Sequence, residues 1–142
     1  MYNCLGKRAH YNVALFMLCF FTFCSFISVN SNSALFKCKY VETYIGDIQH
    51  GHYDLHDTYC SIDVNKKLIS IWGVSTNGHD IMAEYTIIKV EDTKRDGQYT
   101  TIVFLARTHM NGNIVRIILD SYYRKLSIIT DSSTVVFGIG KP

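Results

Sequence analysis

From residue 34 onward, apolar and polar side chains alternate along short stretches of the chain. Period-two patterns occur at Phe36–Tyr40, Cys60–Val64 and Met82–Ile87, while Ile102–Ala106 and Ile114–Leu119 are apolar on both faces and would be central strands covered on both sides or strands with one face awaiting a partner. A period of two places successive side chains on opposite faces of an extended strand. Only residues 47–57 have a pattern that fits a turn of helix. The pattern therefore predicts about eight short β-strands and little or no helix.

Turn-forming residues separate the predicted strands at short intervals. They lie at residues 64–67, 77–78, 96–97, 111–112, 121–123 and 131–133. Connections this short favour hairpins between consecutive antiparallel strands. Because the edges of a sheet must be paired or covered, such strands are expected to close as an up-and-down barrel or to stack as a two-sheet sandwich. The sequence thus predicts a single all-β domain, a small antiparallel meander, at residues 34–142.

The first 33 residues have a different character. Lys7 and Arg8 precede an uncharged apolar run at residues 13–29, and small polar residues follow that run. This order is typical of a secretory signal peptide, with cleavage after Ser31 or Ser33. The prediction is therefore an exported protein, periplasmic or extracellular. An uncleaved membrane anchor at residues 13–29 is the alternative, although a membrane-spanning helix usually needs about 20 apolar residues.

The net positive charge of the chain comes from the leader. The whole sequence has 14 Lys and Arg against 12 Asp and Glu, a formal net charge of +2. Lys7 and Arg8 account for the excess, since no acidic residue precedes Glu42, and residues 34–142 have no net charge. A nucleic-acid-binding module needs a surplus of basic residues. The composition therefore argues against a nucleic-acid partner, and it predicts membrane contact only through an uncleaved leader.

Two cysteines, Cys38 and Cys60, lie in the predicted domain. In an oxidising compartment such a pair is expected to form a disulfide. That disulfide would close a loop of about 23 residues and stabilise the domain by about 3 kcal/mol. The alternative is a metal-binding or catalytic thiol near His56.

Histidines and aspartates are concentrated in one segment that precedes Cys60. His50, His52, Asp54 and His56 lie within seven consecutive residues. Imidazole and carboxylate groups are ligands of zinc and copper, and a His-x-His spacing on an extended segment points both rings to the same side. The segment is therefore a candidate metal site, with zinc or copper as the one cofactor considered. A solvated polar loop is the alternative.

Five further residues are candidates for a ligand site or a protein interface. Trp72 is the only tryptophan of the chain, and Tyr122 and Tyr123 are paired in a predicted turn. Packing is the usual role of aromatic side chains at such positions, and ligand stacking by Trp72 or a protein interface at Tyr122 and Tyr123 is the alternative. His79 and His109 lie near two hairpin loops that a meander would place at the same end, together with Asp80.

The sequence contains none of the common nucleophile or phosphate-binding motifs. The first hypothesis is therefore a small exported, non-enzymatic binding or interaction domain whose ligand is a protein or a small apolar molecule. The second is an exported metal-binding protein that uses His50, His52 and His56. The third is a hydrolase whose catalytic residues meet only in three dimensions.

Overall fold

The structure, a computed structural model, describes residues 33–76 and 78–142. Its strands are β1 (Ser33–Ile45), β2 (Ile48–Asp63), β3 (Leu68–Ser75), β4 (Gly78–Asp96), β5 (Tyr99–Thr108), β6 (Ile114–Asp120), β7 (Lys125–Ile129) and β8 (Thr134–Gly140). Each strand pairs antiparallel with the next, and β8 pairs with β1, so the sheet closes as a barrel. The predicted all-β meander is confirmed. The predicted signal peptide lies outside the described residues.

The barrel interior is filled by β-branched and aromatic side chains. Alternate residues of β5, β6 and β7 are buried, and Phe104, Ile117 and Leu126 are fully buried there. Burying a side chain of this size stabilises a fold by roughly 1.5–3 kcal/mol. In β4 only Ile87 is buried, and in β8 four consecutive residues are. Where the alternation holds, it thus also specifies which face of a strand forms the core. Within the described residues, no helix has the length and apolar character that crossing a bilayer requires.

The helical turn predicted within residues 47–57 is absent, because β2 runs through this segment from Ile48. A tight turn at Gly46, with φ of 59°, leads directly into the strand. The segment then pairs with β1, for example His52 with Glu42 and Tyr53 with Val41. Strand β1 provides hydrogen-bond partners for the backbone N–H and C=O groups of this segment. In an isolated segment those groups would instead bond within a helical turn.

Two turns of the barrel share one geometry. In the turn after β2, the backbone N–H of Lys66 donates to Asp63 Oδ1, and in the turn after β6 that of Tyr123 donates to Asp120 Oδ1. Each turn ends on a residue with φ of 53°, Lys67 or Arg124. An aspartate that caps the backbone three residues later is a known turn-forming device. The same local chemistry therefore builds two turns on one side of the barrel.

The predicted disulfide between Cys38 and Cys60 is wrong for this structure, which contains both residues as buried free thiols. Both point inward, but the register pairs Cys38 with Thr58 and Cys60 with Phe36. The cysteines are therefore diagonal neighbours, and such pairs lie about 7–8 Å apart. A disulfide needs a Cα–Cα distance of about 4.4–6.8 Å, so this register keeps the sulfurs apart.

The turns of a meander alternate between the two ends of the barrel, and they define two surfaces. The turns after β1, β3, β5 and β7 lie at what we call the hairpin end. The turns after β2, β4 and β6 lie at the opposite end, which we call the terminal end because β1 begins and β8 ends there.

Candidate functional site

Trp72 lies on the outer face of β3, between aromatic side chains of the two neighbouring strands. Its indole stacks on Tyr59 of β2, with ring centroids 4.9 Å apart, and on His79 of β4, with centroids 4.4 Å apart and an interplanar angle of 7°. Lys37 of β1 extends the row, since its Nζ lies 6.0 Å from the centre of the Tyr59 ring. Because rings from both sides cover the indole, packing between strands accounts for Trp72 without a ligand.

His52, the centre of the predicted metal site, contacts carboxylates through both ring nitrogens. Its Nδ1 lies 3.2 Å from Glu42 Oε1, its Nε2 lies 3.7 Å from Asp54 Oδ1, and its ring stacks on Tyr40. Desolvation acts to raise the pKa of Glu42, but the hydrogen bonds from Tyr44 Oη and His52, together with the charges of Lys125 and His52, outweigh it, so this pKa is lowered. The Glu42 side chain is thus an ionised acceptor shared by two neighbours.

Of the predicted metal ligands, His50 and His56 do not join His52 and Asp54. A register shift between the pairs Thr43–Gly51 and Tyr44–Gln49 falls at His50, and a second shift leaves His56 outside the ladder. These irregularities break the strict alternation on which the His-x-His prediction depended. Across the described residues, no group of three or more His, Cys, Asp or Glu side chains is placed to hold a metal ion. The geometry therefore does not support the zinc or copper site.

His109 forms a hydroxyl–imidazole–carboxylate chain on the outer face of the barrel. Its Nε2 lies 2.7 Å from Thr86 Oγ1 and its Nδ1 lies 3.3 Å from Glu84 Oε2. Ser70 Oγ donates to the other oxygen of Glu84. The order of groups resembles a catalytic triad, but His109 is 45% exposed and the cleft described below does not include it. The arrangement lacks a water-excluding cavity, which hydrolysis by such a chain would need.

The two hairpin loops that carry His79 and His109 do lie at the same end, as predicted. The histidines nevertheless remain apart, because β4 is long and only its later part pairs with β5. His79 precedes Glu84, the partner of His109, by five residues, a separation of about 16 Å along an extended strand. The predicted gathering of His79, Asp80 and His109 is therefore wrong.

Tyr122 and Tyr123 line an open cleft of about 890 Å³ at the terminal end of the barrel. Tyr99 of β5 joins them, and the Tyr122 ring contacts both Tyr99 and Tyr123 edge to face, with centroid distances of 4.8 Å. Lys94 and Arg95 of β4 line the same cleft, and so do Asp96 and Asp120. All three tyrosines are exposed, so packing into the core does not account for them.

Large exposed apolar side chains are concentrated at the hairpin end. Twelve such side chains occur in the described part of the chain. Eight of them lie at the hairpin end: Ile45, Ile48, Tyr53, Val74, Ile81, Met82, Met110 and Ile114. Their exposed fractions range from 47% for Val74 to 92% for Met110. A group of exposed apolar side chains of this kind makes the hairpin end a candidate interaction surface.

Charged residues are segregated between the two ends. The stretches that form the hairpin end, residues 40–58, 72–84, 108–115 and 129–136, contain seven Asp and Glu and all five histidines of the domain. No Lys or Arg occurs in these stretches. The rest of the described chain contains twelve Lys and Arg against five Asp and Glu. The neutral domain is therefore strongly polarised, with about seven negative charges on one half and seven positive charges on the other.

Comparisons with protein-family models, curated proteins and solved structures found no match. The chemistry of the two ends is therefore the basis for any functional assignment.

Sequence reasoning identified Tyr122 and Tyr123 but missed Tyr99, which lies 23 residues before Tyr122. The two rings come into contact because Tyr99 begins β5, Tyr122 follows the end of β6, and β5 pairs with β6. It also missed the apolar group at the hairpin end, because residues such as Ile81 and Met82 look like ordinary strand positions in the sequence. The sequence does show that Lys and Arg are absent from four separate stretches. This absence points to a surface only once the topology places the four stretches at the same end of the barrel.

Proposed function

We propose that this protein is a non-enzymatic interaction domain that binds a partner protein at its hairpin end. The observation that supports the proposal is the concentration of eight exposed large apolar side chains on three neighbouring hairpins. Leaving these side chains in water costs free energy that a partner surface would recover, since fully burying an Ile or Met contributes roughly 1.5–3 kcal/mol. Protein interfaces have this kind of apolar centre with a polar rim.

The charge of the hairpin end specifies the chemistry of the partner. Asp47, Asp54, Asp80 and Asp131 lie at or beside its turns, and no lysine or arginine accompanies them in these stretches. A partner surface with an apolar centre and a basic rim would complement this surface and would be steered toward it at low ionic strength. We therefore expect association to slow as salt is raised, because the rim charges are exposed and screened.

Strand β4 offers a matched pair of positions for testing the interface. Ile81 at the hairpin end is 64% exposed, and Ile88 in the other half of the barrel is 43% exposed. A photo-crosslinking residue placed at position 81 is expected to form one discrete adduct in the native source, and the same residue at position 88 is expected to form none. Mass spectrometry of the adduct identifies the partner, which is then purified for titration.

Substitutions at the same positions measure the contribution of the apolar surface. Ile81→Lys is expected to weaken binding of the purified partner by tenfold or more, since roughly 1.5–3 kcal/mol of burial is lost. Ile88→Lys is the control and should leave affinity unchanged, and urea unfolding verifies that both variants fold. Equal adducts at positions 81 and 88, or an unchanged affinity for the Ile81 variant, would show that the hairpin end is not the interface.

We also propose that residues 1–33 direct export of the domain. Support comes from the order of Lys7 and Arg8, the apolar run at residues 13–29 and the small residues that follow. N-terminal sequencing of the protein isolated from its source should give a chain that begins at Asn32 or Ala34. A chain that retains Met1 and is recovered from the membrane fraction would indicate the anchored form instead.

A further inference from the structure

The terminal end of the barrel combines a positive charge with exposed aromatic rings. Three of its five acidic residues already have a basic neighbour: Asp63 pairs with Lys66, Asp92 with Lys94, and Glu91 with Lys89 and Arg116. Twelve Lys and Arg occur in the stretches outside the hairpin end. Two of them lie toward the other half, since Lys37 pairs with Asp57 and Arg107 lies opposite Ile114. The remaining ten still outnumber the five acidic residues, so the surplus of positive charge persists. The side chains of Lys66 and Lys94 are 77% and 80% exposed, so their charges face solvent.

The tyrosine rings lie beside charged side chains of both signs. Tyr99 is 38% exposed, Tyr122 is 59% exposed and Tyr123 is 67% exposed. They line the cleft together with Lys94 and Arg95 and with Asp96 and Asp120, so the surplus of positive charge belongs to this end of the barrel as a whole and not to the cleft alone. Tyrosine has an apolar ring and a polar hydroxyl, which suits it to the headgroup region between water and hydrocarbon. Lysine and arginine near the surface of an anionic bilayer each add about 1 kcal/mol of attraction.

The direction of the chain points to the same surface. Strand β1 begins at Ser33 at the terminal end, so the 32 preceding residues, with their apolar run at 13–29, join the barrel there. This argument rests on the proposed export leader: while the leader is attached and engaged with a membrane, the terminal end is the part of the domain joined to it. The hairpin end, with its seven carboxylates, then faces away and is free for a protein partner.

From the surplus of cations, the three tyrosines and the entry point of the chain, we propose that the terminal end docks on the surface of a bilayer that contains anionic phospholipid. The bound domain lies with the β4–β5 and β6–β7 turns at the headgroups. This inference is separate from the proposed protein interface, which uses the opposite end of the barrel.

Vesicle sedimentation tests the proposal. The strand ladder closes on itself within Ser33–Gly140, so a chain that begins at Ser33 can be used without the leader. It should sediment with phosphatidylcholine vesicles that contain about 30% phosphatidylserine, and binding should fall steeply between about 0.05 M and about 0.5 M NaCl because the attraction is screened. Vesicles of phosphatidylcholine alone should bind much less.

Two variants locate the contact and two controls exclude other causes. Lys94→Gln with Arg95→Gln should weaken vesicle binding by about 25-fold, that is about fivefold for each cation removed, and Tyr122→Ala with Tyr123→Ala should also weaken it. Asp47→Asn with Asp80→Asn should not weaken it, and neither should Ile81→Lys, which damages only the proposed protein interface. Circular dichroism verifies the fold of each variant.

Three outcomes would overturn the proposal. The first is equal binding to neutral and anionic vesicles, or no binding to either. The second is tighter binding to a single-stranded oligonucleotide than to anionic vesicles at the same salt, which would make the surface a nucleic-acid site. The third is a salt-sensitive self-association of the domain in the absence of lipid, which would show that the two charged ends contact each other.

Discussion

At the scale of single residues, Cys38 and Cys60 show how position determines the chemistry of a side chain. Both are buried inside the barrel, where a cysteine packs as a small apolar residue. Desolvation by burial raises the pKa of Cys38 to about 12 and also raises the pKa of Cys60, with a smaller contribution from the neighbouring Cys38. Because the thiolate is the reactive form, both thiols are held in an inert state.

We predict that neither thiol reacts with a thiol reagent in the folded domain. At about pH 9 an ordinary thiol is about half ionised, whereas these two remain protonated because folding raises each pKa above that value. The chain that begins at Ser33 should therefore show no reactive thiol in Ellman's assay when folded and two when denatured without reductant. A denatured chain without reactive thiols would mean that a disulfide forms in the protein after all.

At the scale of elements, the outer face of β1–β4 is held by a continuous row of rings, Tyr59, Trp72 and His79. Each ring belongs to a different strand. The row therefore supports the tip of the β3–β4 hairpin, where the end of β3 is not paired with β2 and the beginning of β4 is not paired with β5. Cross-strand aromatic pairs contribute roughly 0.2–1 kcal/mol each in such sheets. Sequence pattern predicted the strands but not this contact, since the register that aligns the rings includes a bulge beside Trp72.

We predict that His79→Ala exposes one face of Trp72 to water. Since Trp72 is the only tryptophan of the chain, its fluorescence reports this change directly. The emission maximum should shift to longer wavelength, and the same spectrum should become more sensitive to quenching by iodide. His109→Ala is the matched control, because His109 contacts Glu84 and Thr86 and not the indole. A shift of equal size in both variants would contradict the stacked arrangement.

At the scale of the whole molecule, closure of the barrel produces both its stability and its two unlike ends. Pairing of β8 with β1 removes the last free edges of the sheet and places Phe137 and Ile139 in the core. The alternation of turns then sorts the charges, so that a domain without net charge becomes strongly polar. Composition alone indicated a neutral domain without an electrostatic partner, which is why it did not suggest the anionic surface that we now propose for the terminal end.

We predict that a chain ending at Ser133 does not fold cooperatively, because β1 and β7 lose their partner and become exposed edges. A circular permutant should fold normally, since Gly140 pairs with Lys37 and lies only about 13 Å along β1 from Ser33. The permutant joins Pro142 to Ser33 through a short Gly-Ser linker and opens in the turn after β2. Urea unfolding followed by circular dichroism compares the two. A truncated chain with an unchanged unfolding midpoint would show that closure contributes little.

The sequence by itself determined the all-β class, the approximate number of strands and most turns, because alternation and turn chemistry act over a few residues. Phe36, Ile62 and Ile117 are recognisable as core positions from their neighbours alone. The disulfide, the metal site and the gathering of His79 with His109 are not found among the described residues, because each depended on register between strands. Register is decided by bulges and by closure, and a shift of one or two residues changes which side chains meet. Only the tertiary structure could therefore bring Tyr99 to Tyr122 and collect seven carboxylates at one end.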